Sequence, residues 1–390
     1  MSGPSADDIR RAAQAGQGVI RETPVLSSRT LSDRAGATVA LKAENLQRTG
    51  SFKLRGALAK LAALGDGCAA GVVTGSAGNH AQALAYAART RGVRCEVFMP
   101  EAAAIAKVEA ATALGATVHL VGATVDESLT AAHERAREGG LAFVHPFDDI
   151  DVIAGQGGVG LELLEQVPDI GTVIAPVGGG GLASGIAIAL KSARPSVRVI
   201  GVQVLDTGLT IADGIAVKHP GQLTRPLIEH WVDQVVTVSE DEIAEAMVFL
   251  LERAKLVVEG AGAVGVAALL GGRLTLSPSG TTIAVLSGGN VDAGLLAAVA
   301  RYHESHAGRR LVLLARVPDR PGSLAGLLAL VGDLGANLLD VQHIREGLDL
   351  HIRETAVQLV LETRGPGHAQ QMIDAIRDAG YGEPPRLPTS

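Results

Sequence analysis

Gly50-Ser51-Phe52-Lys53-Leu54-Arg55-Gly56 is the stretch on which the interpretation of this 390-residue chain turns. Upstream, the apolar Val39-Ala40-Leu41 runs into the polar Lys42-Ala43-Glu44-Asn45. Downstream, Leu54, Ala57, Leu58 and Leu61 recur at helical spacing. This pattern predicts a helix with Lys53 in its first turn and Thr49 or Ser51 as N-cap. A helix N-terminus carries partial positive charge, which disfavours a second cation there. Desolvation would lower the lysine pKa further and leave a free amine for Schiff-base formation or proton abstraction. Most lysines are merely solvated, so the flanking chain must decide.

Outward from this segment the chain alternates apolar runs, polar loops and helical patterns. Gly71 to Thr74 is strand-like and ends in Ser76-Ala77-Gly78-Asn79-His80, after which Ala81, Leu84, Ala85 and Ala88 mark a helix. Cys95 to Met99 is strand-like, 105–114 helical and 117–121 strand-like. Thr172 to Val177 leads into Gly178-Gly179-Gly180-Gly181 and a helix from Leu182 to Ala193. A strand follows at 197–204, then a helix over 240–255 with a Ser239/Glu242 capping box. A helix over 263–270 and a buried strand over 282–286 run into Ser287-Gly288-Gly289-Asn290. Residues 7–21 read as an N-terminal helix. The alternation predicts an α/β protein with largely parallel sheets.

Each polar loop follows a strand, which is where open α/β sheets bind ligands. The glycine run, before a helix, makes an anion site from backbone N–H groups. It lacks the Lys-Ser/Thr of a P-loop. Gly178, Gly180 and Ala183 satisfy G-x-G-x-x-A, but Gln203 stands where a dinucleotide site needs an acid. A phosphate site without a dinucleotide fits better.

Beyond a polar, basic stretch at 302–310, taken as a linker, the pattern is strand 311–317, helix 324–331, strands 337–344 and 355–362, and helix 367–379. That β-α-β-β-α order predicts a small ferredoxin-like α+β domain.

Composition narrows the function classes. Apolar residues are 47% and glycines number 49, but aromatics are only 2%, which points to small-residue packing. A net charge of −7 without a basic block argues against nucleic acid or an anionic membrane as partner. Cys68 and Cys95 are too few for a disulfide framework or a cysteine-based zinc site, and the scattered histidines give no metal frame. The uncharged run 170–190 is interrupted by Pro176 and four glycines, unlike a membrane span. Met1 to Gln17 holds no apolar signal-like core, so a cytoplasmic location is expected.

Residues 42–57, Lys42-Ala43-Glu44-Asn45-Leu46-Gln47-Arg48-Thr49-Gly50-Ser51-Phe52-Lys53-Leu54-Arg55-Gly56-Ala57, resemble the cofactor-lysine motif of threonine dehydratases (threonine ammonia-lyases). These belong to the tryptophan-synthase-β-like (fold type II) pyridoxal-phosphate enzymes, with serine racemase as a close relative. Ser76 to Gln82, the glycine run and Ser287 to Asn290 match the family's other motifs in order. Residues 311–380, with Asp319-Arg320-Pro321-Gly322-Ser323-Leu324, resemble an ACT regulatory domain.

The resemblance implies a two-lobed catalytic domain over 1–307, its smaller lobe inserted at about 45–148, and an ACT-like domain over 308–390. It implies that Lys53 holds pyridoxal 5'-phosphate beside Phe52 and that Gly178, Gly179, Gly180, Gly181 and Leu182 bind the phosphate. Asn79 would meet the ring hydroxyl and Ser287 the pyridine nitrogen. Ser76, Ala77, Gly78, Asn79 and His80 would frame the substrate carboxylate. The implied reaction turns L-threonine into 2-oxobutanoate and ammonia, and L-serine into pyruvate. An amino-acid effector at the ACT-like domain and a homodimer or homotetramer are implied as well.

Three departures bear on these expectations. Ala77 stands where serine racemases carry a serine as second acid/base, which ranks dehydratase above racemase. The segment between Gln203 and Ala212 is shorter than in relatives that build a cation site there, so no metal is expected. Gly382-Glu383-Pro384-Pro385-Arg386 replaces much of a fourth ACT strand, since adjacent prolines resist sheet pairing.

Overall fold

A computed structural model describes residues 3–205, 210–217, 221–276, 279–346, 348 and 350–382. Part of the shortened 203–212 segment and the Glu383–Arg386 stretch lie outside the described residues. The chain falls into two units, Met1–Asp292 and Ala293–Ser390.

The first unit holds two sheets. One has six strands in the order Val25–Ser27, Val39–Lys42, Thr281–Val285, Ile170–Pro176, Arg198–Val204 and Gln234–Val238. The first pair is antiparallel and the rest run parallel. The other sheet has four parallel strands in the order Thr117–Leu120, Cys95–Met99, Val72–Gly75 and Ala142–Phe143. The central strands are apolar on both faces, as a parallel sheet covered by helices requires. Val39–Lys42, Val72–Gly75 and Thr281–Val285 are buried at every position.

The sequence-predicted strands and helices recur with shifted ends. Three expectations need correction. The N-terminal helix is Ala6–Ala15, not 7–21: Gly16 caps it and Gly18 takes φ +79°. Val19 and Ile20 extended the apolar pattern because they pack on the core of the smaller sheet from the turn beyond the helix. The Glu240 helix keeps its capping box but ends at Phe249, passing through a wide turn, Leu250–Ala254, to Lys255 at φ +60°. The 302–310 stretch is no linker. It forms the end of a helix, Ala293–His306, and the start of the strand Arg310–Pro318.

The second unit keeps the predicted order: strand Arg310–Pro318, helix Ser323–Asp333, strands Asn337–Ile344 and Glu354–Glu362, helix Pro366–Ile376. Its antiparallel sheet places Glu354–Glu362 in the middle. Leu327, Val331, Val357, Leu359, Leu361 and Met372 form its core.

Within the first unit, the helix Lys53–Leu64 is held at two places. It crosses the helix Ile150–Gln156 at backbone distance: a Cβ on Gly155 would lie 2.6 Å from the Arg55 carbonyl oxygen and 2.7 Å from Gly56 Cα. The side chain of the same Arg55 enters a buried ionic cluster. Arg55 donates to both Glu44 oxygens at 2.8 Å and to Glu162 at 2.6 Å. Fully buried Lys42 donates to Glu162 at 2.5 Å, to Gln166 at 2.9 Å and to the Thr23 carbonyl at 2.8 Å. Burial alone would raise the Glu44 pKa; Arg55, Lys42 and Thr23 outweigh it and hold the carboxyl below its ordinary range.

Removing one member of such a cluster strands a buried charge. Glu44→Leu is therefore expected to destabilise the protein by about 3 kcal/mol, read as a lowered denaturant midpoint. An unchanged midpoint would show that Glu162 alone satisfies Arg55.

Candidate active site

Lys53 is the first residue of its helix. Contrary to the sequence expectation, neither Thr49 nor Ser51 caps it. The N-cap is Phe52 and makes no side-chain capping bond. Thr49 takes φ +66°, and Ser51 Oγ is buried with no partner among the described residues. The segment is held by backbone pairing to the turn after Thr281–Val285. Phe52 N–H donates to the Ser287 carbonyl at 3.0 Å, and Gly289 N–H to the Gly50 carbonyl at 2.9 Å.

Lys53 points into a cavity of about 740 Å³, whose wall includes every residue assigned from the sequence to the cofactor or the substrate. Phe52, Ser76, Ala77, Gly78, Asn79, His80, Gly178, Gly179, Gly180, Gly181, Leu182 and Ser287 all line it. They come from the carboxyl ends of parallel strands in both sheets, where such sheets open into a crevice. Lys53 Nζ donates to the Pro146 carbonyl at 2.7 Å and lies 5.3 Å from the Phe52 ring centroid. Burial pushes its pKa down to about 8, against a smaller opposing pull from Glu259. The positive end of the helix acts in the same direction as burial.

The glycine run turns from strand Ile170–Pro176 into helix Gly181–Ala193, with Gly180 at φ +89°. A Cβ on Gly179 would fall 2.2 Å from the Phe147 ring, so the backbone must be bare to turn there. The helix start has no side-chain cap, which leaves first-turn N–H groups for an anion. Behind the loop, Thr224 Oγ1 donates to the Gly179 carbonyl at 2.6 Å. Asp148 in turn accepts from the N–H groups of Gln222, Leu223 and Thr224 at 2.8, 2.9 and 3.1 Å.

His80 is buried and its Nε2 meets the Val144 carbonyl at 3.1 Å, so a neutral ring carries its proton there. Burial, reinforced by Lys53, lowers its pKa to about 3. Ser287 Oγ is loosely engaged with the Ala261 carbonyl at 3.4 Å.

Sequence reasoning missed the group that orients Asn79. Asn79 Nδ2 donates to Glu259 Oε1 at 2.7 Å, and its Oδ1 accepts from Asn290 Nδ2 at 2.7 Å. One Asn79 N–H therefore remains for a ligand. Glu259 is 5% exposed, and burial, helped by Asp213, raises its pKa to about 7. A lone carboxylate in Val257-Val258-Glu259-Gly260-Ala261-Gly262 was the available signal. The aromatic and polar residues of 145–148 were missed too.

Residues 17–288 match the model of the pyridoxal-phosphate dependent enzyme family, and the chain belongs to that family. Its cofactor is pyridoxal phosphate, and its fold is the α/β fold of the tryptophan-synthase-β-like enzymes. Among similar proteins, the L-threonine ammonia-lyase of Geobacter sulfurreducens is 45% identical over 380 residues, covering 93% of this chain and 94% of that one. The L-threonine ammonia-lyase of Thermotoga maritima is 43% identical over 394 residues, covering 96% and 98%. The crystal structure of serine racemase from Dictyostelium discoideum superposes with a TM-score of 0.70 at 39% identity, covering 74% of this chain and 99% of that one.

The residues present fit the cofactor. A desolvated amine lines the same cavity as a bare-backbone anion cradle, where the uncapped start of the helix Gly181–Ala193 leaves backbone N–H groups free for a phosphate.

Glu259 also gives a pH signature. Its folded pKa lies above its unfolded value of 4.5, so folding favours the protonated form and stability falls as pH rises from about 4.5 to about 7. Glu259→Gln is expected to remove that part of the slope in melting temperatures taken across the window. An identical slope in both proteins would place the titration elsewhere.

Proposed function

We propose that the chain is a threonine ammonia-lyase, converting L-threonine to 2-oxobutanoate and ammonia and acting secondarily on L-serine to give pyruvate. The observation that carries this reading is Lys53, an amine with its pKa near 8 at the wall of a cavity that also holds an anion cradle. The names and close similarity of the ammonia-lyase relatives support the choice of reaction.

Lys53 is read as the residue that carries the cofactor, the glycine run with Leu182 as its phosphate cradle, and Phe52, Asn79 and Ser287 as its ring contacts. When bound, pyridoxal phosphate supplies the electron sink that makes an amino acid's Cα–H acidic. The Lys53 amine, whose pKa burial lowers to about 8 so that its free base forms just above neutral pH, takes the proton from Cα. Ser76, Ala77, Gly78, Asn79 and His80 hold the substrate carboxylate, with neutral His80 adding no second cation beside Lys53. Ser287 offers the pyridine nitrogen a neutral hydroxyl, which favours prompt loss of the β-hydroxyl over long-lived charge in the ring. The β-hydroxyl departs as water with the proton that Lys53 took from Cα, and a second water hydrolyses the imine tautomer of the enamine left behind, releasing ammonia.

Ala77 favours dehydration over racemisation in this reading. Its methyl group lines the cavity where a racemase needs a hydroxyl donor, so no group at this position returns a proton to the opposite face. Lys53→Ala is expected to cut 2-oxobutanoate release by about 10³-fold or more and to abolish the visible absorbance of the lysine-linked cofactor. D-serine formed from L-serine at a rate matching pyruvate would overturn the lyase assignment.

The segment from residue 308 is read as an ACT-like regulatory domain that binds an amino-acid effector near Pro321-Gly322-Ser323 and Gly335-Ala336-Asn337, in a cytoplasmic homodimer or homotetramer. Isoleucine or valine is the effector expected. Inhibition of the full chain by these amino acids should disappear on deletion of 308–390, and superimposable inhibition curves with and without the segment would refute the assignment.

A further inference from the structure

Val144 to Asp149 carry the chain from the strand Ala142–Phe143 of the smaller sheet to the helix Ile150–Gln156. On the way they touch parts of the cavity wall that are far apart in sequence. The Val144 carbonyl meets His80, Pro146 meets Lys53, the Phe147 ring fills the space beside Gly179, and Asp148 clamps Gln222 to Thr224.

An imidazole holds this turn together. His145 Nδ1 accepts from the backbone N–H of Phe147 at 3.3 Å and of Asp148 at 2.8 Å, a ring nitrogen doing what an Asx side chain does in a turn. The Phe147 N–H and the Pro146 carbonyl belong to one planar trans peptide and point in opposite directions. Fixing the N–H on His145 therefore fixes the carbonyl on the far side, and there Lys53 Nζ donates at 2.7 Å.

We propose that His145 is a positioning residue for Lys53: by accepting these two N–H groups it orients the Pro146–Phe147 peptide and aims its carbonyl at the lysine amine. The proposal rests on the assignment of Lys53 as the cofactor-bearing amine. It requires an unprotonated Nδ1, and burial lowers the His145 pKa to about 4; Asp148 and Asp149 pull it up while Lys53 and His133 push it down. The rings of Phe143 and Phe147 meet the imidazole edge-on, at centroid distances of 6.2 and 4.7 Å, and restrict its rotation. A carbonyl dipole stabilises an ammonium more than an amine. The turn thus acts with the Glu259 carboxylate against the burial of Lys53 and raises the pH at which its free base appears.

The test uses the full-length chain stripped of pyridoxal phosphate and reloaded with it, the rate of growth of the lysine-linked absorbance being followed against pH. In His145→Leu the midpoint of that profile is expected about one pH unit lower than in the unmodified chain. In His145→Asn, whose Oδ1 can accept the same two N–H groups, the midpoint returns to that of the unmodified chain. His145→Gln carries its oxygen one carbon too far and is expected to behave as the leucine variant, which keeps the test open if leucine does not fold. Coincident midpoints in the leucine or glutamine variant and the unmodified chain would overturn the proposal. So would an asparagine variant displaced as far as leucine while melting like the unmodified chain. Absorbance that grows equally in Lys53→Ala would overturn the proposal together with the assignment of Lys53.

Discussion

The crossing of two helices at bare backbone is the constraint on which the site depends. Gly155 and Gly56 let the helix Ile150–Gln156 lie against the first turns of the helix that begins at Lys53. An alanine at either place would push the helices apart, because its methyl would overlap backbone or buried side-chain atoms. Arg55, whose carbonyl lies at the crossing, is held on its side-chain end by a cluster in which Arg55, Glu44, Glu162 and Lys42 neutralise one another largely out of water. Ion pairs of this kind add little net stability but penalise any arrangement that separates them. They are therefore suited to fixing a helix in one register, and the register fixes the lysine.

From that fixed helix the electrostatics of the cavity follow. Lys53, His80 and Glu259 are each moved away from their ordinary pKa by burial, and each toward its neutral form. Burial thus lowers the cost of the neutral form of each of these three groups, while the uncapped start of the helix Gly181–Ala193 offers backbone N–H groups to an anion. The two asparagines then act as rigid spacers: Asn290 ties Asn79 to the Thr49 carbonyl, so the loop after Val72–Gly75 cannot rotate independently of the lysine segment.

Much of this was legible in the sequence. The glycine run, Ser76 to His80 and Ser287 to Asn290 stand out because each interrupts an apolar strand, and strand ends in parallel sheets converge in space. Lys53 stood out because its neighbours have helical spacing. What escaped notice depends on contacts distant in the chain. Glu259 looks like a surface carboxylate until Asn79, 180 positions away, is seen beside it. The cap of the Lys53 helix could not be read from Thr49 or Ser51 because pairing with 287–289 overrides local capping. Polar residues at 302–310 suggested a linker, yet a helix with one exposed face carries the same composition.

The scarcity of aromatic residues has an optical consequence. Trp231, the single tryptophan, closes the helix Thr224–Trp231, whose first residue is bonded to the Gly179 carbonyl. Its emission is thus a built-in reporter, coupled through one short rigid helix to the loop that would grip the phosphate. Filling and emptying of the site can be followed by quenching of native fluorescence, without a label and without turnover.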